Sequence, residues 1–309
     1  MEKTTLPDLA LLNQRFGIPD VLAFVSGPGG LPVAEIENGL ATASVCLLGG
    51  HVLGFQPHGQ LPVLWMSQRS DFELGQPIRG GIPVCWPWFG AHPTDPDKPS
   101  HGFARRCLWD VRETTVTDDG ATCLRLALPV DDTTQALWPQ PFSLDLTITV
   151  GKALTVSLKM RNEGAIPVTH TCALHSYFAV SGIEQVAIRG LDGATFIDTV
   201  GPQPSKRGKQ DGAVTFAEET DRVYLDTASE CFIDDPGLGR TIRVAKRGSR
   251  STVVWNPWIA KSVRMEDFGD DEYPGMLCVE TTNAADDAVT LAPGGEHELT
   301  TILSVQPIG

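Results

Sequence analysis

Apolar positions along this chain recur at two intervals, and the shorter one dominates. Leu124, Leu126, Leu128 and Val130 alternate with polar residues, as do Leu144, Leu146, Ile148 and Val150. The same spacing joins Leu154, Val156, Leu158 and Met160, and later Leu299, Thr301, Leu303 and Val305. A period of two puts each set on one side of a pleated strand. Asp119-Gly120, between runs 111–117 and 122–128, reads as a tight hairpin, and Gly151-Lys152 separates two strands in the same way. The longer, helical interval shows only at Leu9, Leu11, Leu12 and Phe16, predicting a short helix within residues 1–18. Residues 133–137 suggest one further short helix. No alternation of strand and helix runs through the chain, which argues against a parallel α/β sheet. The pattern predicts a mostly β protein, a large antiparallel β-sandwich with few short helices.

Composition sharpens this. The 309 residues include 31 glycines and 23 prolines, punctuation suited to many short strands and turns. Residues 91–100 read as a Pro-rich loop rather than a boundary, and composition shifts sharply nowhere. One domain is therefore expected over 1–309, with residues 1–32 as an N-terminal extension to a sandwich over about 33–305. A fold of this size can bury its own core, so a monomer is expected. The formal charge of −14 argues against nucleic-acid binding, which needs basic surface to displace counterions. No apolar run approaches the roughly 18 residues of a membrane span, and the first residues contain no apolar signal-peptide stretch. Seven scattered cysteines without a Cys-x-x-Cys pair read as reduced thiols in a cytoplasmic protein.

The phosphate loop, the dinucleotide fingerprint, the nucleophile elbow and the His-Glu-x-x-His zinc motif are all missing from the sequence. The unusual stretch runs from Ile78 to Gly90, combining Arg79, the pair Gly80-Gly81 and three aromatic residues. Arg79 reads either as a ligand contact or as the partner of a buried carboxylate. His101-Gly102-Phe103-Ala104-Arg105-Arg106 follows, and residues 76–109 carry a local charge of +2. An Arg fork fits a small anion such as a phosphate. If Arg105 and Arg106 share a strand, they point to opposite faces and one of them, Arg105, reaches a site. His175, in an apolar strand, reads as a core residue or as a catalyst. Asp221 reads as part of a surface turn with a local ion pair, or as a ligand contact. Glu280 ends an apolar strand, where a carboxylate is costly to bury without a partner. Trp255-Asn256-Pro257-Trp258 reads first as a turn with aromatic packing. The acidic run Glu266, Asp267, Asp270, Asp271, Glu272 reads as a solvated loop, because its spacing does not match a calcium loop.

Taken in order, these motifs resemble one family. Arg79-Gly80-Gly81-Ile82-Pro83 with Trp86-Pro87-x-Phe89-Gly90, then the segment from His101 to Arg105, then His175-Ser176-Tyr177-Phe178, the 255–258 turn and Leu277-Cys278-Val279-Glu280 are similar to the hexose-6-phosphate mutarotases, or glucose-6-phosphate 1-epimerases, of the aldose 1-epimerase superfamily. The resemblance covers about residues 33–305. It implies a β-sandwich of galactose-mutarotase type and interconversion of the α and β anomers of a hexose 6-phosphate. It further implies Glu280 as base at O1, His175 as acid at the ring oxygen, His101 and Asp221 on sugar hydroxyls, and Arg79 and Arg105 on the phosphate. It assigns Arg106 no role.

Anomer exchange needs two proton transfers, ring opening, rotation about C1–C2 and reclosure. No cofactor or metal is called for. At ordinary pKa values a glutamate is ionised and a histidine can be protonated at neutral pH, and such a pair exchanges protons in both directions. A sugar ring is expected to sit between the two side chains. Three rivals remain at this stage: a carbohydrate-binding module without chemistry, a glycoside hydrolase using Asp221 with Glu280, and a metal-dependent sugar enzyme built on the acidic run.

Overall fold

A computed structural model describes residues 5–201 and 205–308. Residues 1–4 of the expected N-terminal helical region, and residues 202–204 and 309 of the expected single domain, lie outside the described residues. Every ladder among the described strands is antiparallel. Two eight-stranded sheets and a four-stranded sheet carry the architecture.

The first large sheet holds the alternating runs. Its strands lie in the order Ala187–Arg189, Cys231–Asp235, Arg240–Arg247, Glu296–Pro307, Leu154–Asn162, Phe142–Val150, Thr122–Ala127 and Asp110–Val116. Along Phe142–Val150, buried and half-buried positions alternate, with Leu144, Leu146, Ile148 and Val150 inside. Leu154, Val156, Leu158 and Met160 do the same on the next strand. Fully burying each such side chain contributes about 1.5–3 kcal/mol relative to leaving it exposed. Leu124, Leu126 and Leu128 are buried, but Val130 is exposed because the chain has left the sheet there. Residues 117–121 close the first expected hairpin in a five-residue loop with Gly120 at φ +82°, and residues 151–153 close the second.

The second large sheet runs Lys206–Lys209, Thr195–Asp198, Thr220–Tyr224, Ser251–Asn256, Met276–Asn283, Cys172–Leu174 and Val84–Cys85, with Tyr177–Ala179 also pairing to Met276–Asn283. Both of its faces are covered. Leu277, Val279, Val254 and Leu174 enter the core shared with the first sheet. Their neighbours Met276, Cys278, Val253 and Trp255 point the other way and form a second apolar cluster with Tyr177, Val223 and Phe268.

The four-stranded sheet comprises Leu22–Ser26, Pro32–Glu37, Ala41–Cys46 and His51–Pro57. Residues 22–26, assigned from sequence to an extension, are thus its first strand. The N-terminal helix spans Leu9–Phe16, is capped by the Asp8 carboxylate and docks through Asn13, whose amide exchanges two hydrogen bonds of 2.7 Å with the Phe24 backbone. Helix Asp132–Leu137 starts at a reciprocal cap between Asp131 and Thr134. A third helix, Trp258–Ser262, was not expected. No helix among the described residues is long and apolar enough to cross a membrane.

Candidate active site

A cavity of about 450 Å³ opens on the outer face of the second large sheet. Arg79, His101, Arg105, His175, Asp221 and Glu280 all line it. Their convergence follows from pairing. Leu174 stands opposite Thr281, and Tyr177 opposite Cys278. The same register places His175 opposite Glu280, and directly opposed residues share a face. His175 Nε2 lies 3.3 Å from Glu280 Oε1. No ring fits between them, unlike the arrangement expected from sequence.

Both groups are almost wholly buried. Burial, reinforced by the Asp221 charge, pushes the Glu280 carboxyl well above its ordinary value, against the pull of Arg105. Burial also pushes the His175 imidazole well below its own, helped by His101, Arg105 and Arg79. Both shifts run toward the neutral forms, a protonated Glu280 beside a neutral His175, and away from the charge state read from ordinary pKa values. The cause is desolvation, which penalises both charged forms. Both charge arrangements contain one proton, differing only in which partner holds it. His175 Nδ1, Glu280 Oε2 and Arg105 Nε are buried and lack a hydrogen-bond partner among the described residues.

Arg79 leaves a turn that only glycine allows. Gly80 and Gly81 have φ of +116° and +56°, and a Cβ on Gly81 would lie 2.1 Å from the Val52 carbonyl oxygen. Behind the turn, buried His51 places Nε2 2.8 Å from the Gly80 carbonyl oxygen. The Arg79 guanidinium donates to both Asp267 carboxylate oxygens and, over 2.9 Å, to the Tyr177 hydroxyl. Burial works against its charge, but Tyr177 and Asp267 outweigh it and hold the pKa above the ordinary value. Arg79 is thus the partner of a carboxylate, one of its two sequence readings, and it also lines the cavity.

Arg105 and Arg106 lie in a 3-10 turn, Ala104–Arg106, and not in a strand. They still diverge. Arg105 donates to the Ser100 carbonyl over 2.9 Å and faces the cavity, while Arg106 donates to Gly75 O and Gln76 Oε1 at the surface. Arg105 is less committed than Arg79, since it has no carboxylate partner among the described residues. His101 sits at φ +61°, and burial, with Arg105, Arg79 and Lys261, lowers its pKa to about 3. Asp221 lies in strand Thr220–Tyr224, not in a surface turn, and Lys261 Nζ approaches it at 3.5 Å.

A sequence profile of the aldose 1-epimerase family matches residues 32–304. The chain belongs to the aldose 1-epimerase family. Among relatives, a Salmonella typhimurium protein provisionally named glucose-6-phosphate 1-epimerase is 40% identical over 255 residues, spanning 82% of this chain and 84% of its own. A Cenchrus ciliaris protein with the same provisional name is 33% identical over 292 residues, spanning 92% and 87%. A crystal structure provisionally described as a mutarotase, also from Salmonella typhimurium, superposes with a TM-score of 0.86 at 34% identity, covering 96% of this chain and all of that one. A galactose mutarotase-like protein from Lactobacillus casei, at 14% identity and TM-score 0.69, shares the fold. The β-sandwich of galactose-mutarotase type expected from sequence is therefore the observed one.

On this epimerase scaffold, sequence reading passed over several residues at the site. Lys261 lines the cavity from helix Trp258–Ser262, with its ammonium 5.6 Å from the Trp255 ring centroid. Tyr177 stacks on His175 at 4.7 Å between centroids, with 9° between planes. Trp255, read as a structural turn residue, forms part of the cavity wall. The acidic run is not simply a solvated loop. Asp267 holds Arg79, and Glu272 accepts from Ser67 Oγ and the Gln68 N–H, while Asp270 pairs with Arg69 at the surface. Only the pairing of distant segments makes these contacts, so no local signal announced them.

Proposed function

We propose that the protein interconverts the α and β anomers of D-glucose 6-phosphate and related hexose 6-phosphates by acid/base ring opening and reclosure. The observation that carries this reading is the His175–Glu280 pair, 3.3 Å apart on the cavity floor, each with one polar atom left unpartnered. The relatives' names point to the same substrate class. Glu280 takes the O1 proton as His175 delivers one to the ring oxygen. The ring opens, C1–C2 turns, and the two transfers run backwards on the other face. The single proton of the pair is thus returned after each turnover, and the pair acts in both directions.

Arg105 anchors the phosphate, with Arg79 beside it as a second cation already oriented by Asp267 and Tyr177. A phosphate dianion on Arg105 offsets part of the positive charge that adds to burial in depressing His175, which moves the imidazole back toward its protonated form. His101 and Asp221 orient sugar hydroxyls. The chain acts without a cofactor, as a cytoplasmic monomer; its seven unpaired cysteines support a reducing compartment. Freshly dissolved α-glucose 6-phosphate should reach anomeric equilibrium faster with the protein than alone. An unchanged relaxation rate would sink the proposal, and release of reducing sugar from an oligosaccharide would favour the hydrolase rival.

A further inference from the structure

Cys278 is absent from the chemistry above, yet it stands beside the pair. It precedes Glu280 by two residues on strand Met276–Asn283, so both side chains leave the same face. One ligand atom each from His175, Cys278 and Glu280 falls within 4.8 Å of the other two, and all three residues are buried. We propose that these residues form an inhibitory site for a thiophilic divalent cation of the zinc class.

Geometry supports this before affinity is considered. Two bonds of about 2.0–2.1 Å from zinc to nitrogen and oxygen, at the tetrahedral angle, set their ends about 3.3–3.4 Å apart. His175 Nε2 and Glu280 Oε1 already stand at 3.3 Å. With a zinc–sulfur bond of about 2.3 Å, the sulfur belongs about 3.6 Å from each of them. The Cys278 sulfur therefore has roughly an ångström to close at most. The remaining vertex faces the cavity, where water or a sugar hydroxyl completes the shell. On binding, the thiol proton and the proton that burial favours on the Glu280 carboxyl leave to solvent as the sulfur–metal and oxygen–metal bonds form.

The donor set also selects the metal. Nitrogen, sulfur and one carboxylate oxygen suit zinc or cadmium, whereas magnesium and calcium prefer all-oxygen shells. Arg79, Arg105 and Lys261 line the same cavity and repel any dication. An ion that gains nothing from thiolate and imidazole has no compensation for that repulsion. The acidic run offers no comparable set, because Asp267, Asp270 and Glu272 are engaged with Arg79, Arg69 and Ser67.

The inhibitory part of the proposal rests on the epimerase reading; the binding part does not. Chelator-treated protein is therefore titrated with zinc by equilibrium dialysis and with cadmium by its thiolate charge-transfer absorption, alongside the anomerisation rate. One zinc per chain should bind and slow anomerisation, with cadmium giving the thiolate band, and magnesium or calcium should do neither. Cys278→Ala should weaken binding at least tenfold, remove the band and leave the metal-free rate unchanged. Cys278→Ser, closer in volume, repeats the test if the alanine variant does not fold. Cys172→Ala, which removes a buried thiol that donates to Asn283 Oδ1, should leave zinc affinity unchanged. No zinc binding, equal binding by the Cys278 variants, or bound zinc without loss of rate would each overturn the proposal. Zinc held through Cys278 in a protein that never accelerates anomerisation would instead refute the epimerase reading and with it the inhibition, leaving the metal site standing.

Discussion

Strands Phe142–Val150 and Met276–Asn283 are both antiparallel and central in their sheets, and they use their two faces differently. In the first, every second residue is buried and the others are half-exposed. In the second, all eight residues are buried. The first strand satisfies one core and leaves its other face to water. The second feeds the shared core through Leu277 and Val279, while Cys278 and Glu280 face a second cluster and the cavity. Burial on the outer face of that sheet supports chemistry at a cost. The dry environment that shifts Glu280 and His175 toward their neutral forms is one that water-facing positions of the first strand do not share.

The strongest test of this contrast exchanges groups in the two strands. Glu280→Gln keeps shape and removes the proton exchange, so turnover should fall by roughly 100-fold or more, the scale of one acid–base group. The folded fraction should be close to wild type, since the buried carboxyl is already favoured in its neutral form. Near-normal turnover would show that burial of this strand serves packing alone. Leu146→Ala in the first sheet should do the opposite, costing about 2–5 kcal/mol in urea unfolding and leaving turnover per folded molecule unchanged.

The two arginines sharpen the comparison within the site. Arg105→Ala should raise KM for glucose 6-phosphate by roughly 10- to 150-fold, the equivalent of about 1.5–3 kcal/mol, with little change for glucose. Arg79→Ala should raise it too, and should also lower unfolding free energy, because Asp267 and the Tyr177 hydroxyl lose their partner. Equal losses on both sugars would refute the phosphate role.

A smaller effect separates the faces by pH. Burial holds His51 and His101 at pKa values of about 3, against 6.5 for an ordinary histidine. Below pH 6.5 the unfolded chain takes up protons at these positions and the folded chain does not. Stability present above pH 6.5 is therefore lost as pH falls toward 3, by about 2 kcal/mol per histidine between pH 6.5 and 5. The raised Glu280 pKa works in the opposite sense, so the test is a difference: His101→Asn should flatten the pH dependence of unfolding free energy relative to wild type. An imidazole signal of His101 titrating near 6.5 by NMR would contradict it.

The same contrast explains what could be read from sequence. Strands with one wet face write their structure as alternation, and Leu144 to Val150 could be assigned at sight. Met276–Asn283 has no alternation, because both faces are dry, and Glu280 drew attention only as a costly charge. His175 was ambiguous alone; its place beside Glu280 at the cavity follows from standing opposite a residue 105 positions away. Asp267 was read as part of a solvated loop and Lys261 was passed over, because their partners, Arg79 and Asp221, lie far away in sequence. The alternative that set Arg105 and Arg106 on opposite faces of a strand fails because the chain there makes a single 3-10 turn.

The opposition of His175 and Glu280 also decides how this protein can fail. Sliding strand Met276–Asn283 by one residue would send Glu280 into the hydrocarbon interior and bring Val279 or Thr281 to the cavity floor. Such a molecule would lose its reactive pair and bury an unpaired carboxyl together. Inheritance meets the same constraint: a codon inserted or deleted within this strand shifts every later partner. Length variation is therefore expected to collect in the connecting loops, with strand 276–283 keeping one fixed count.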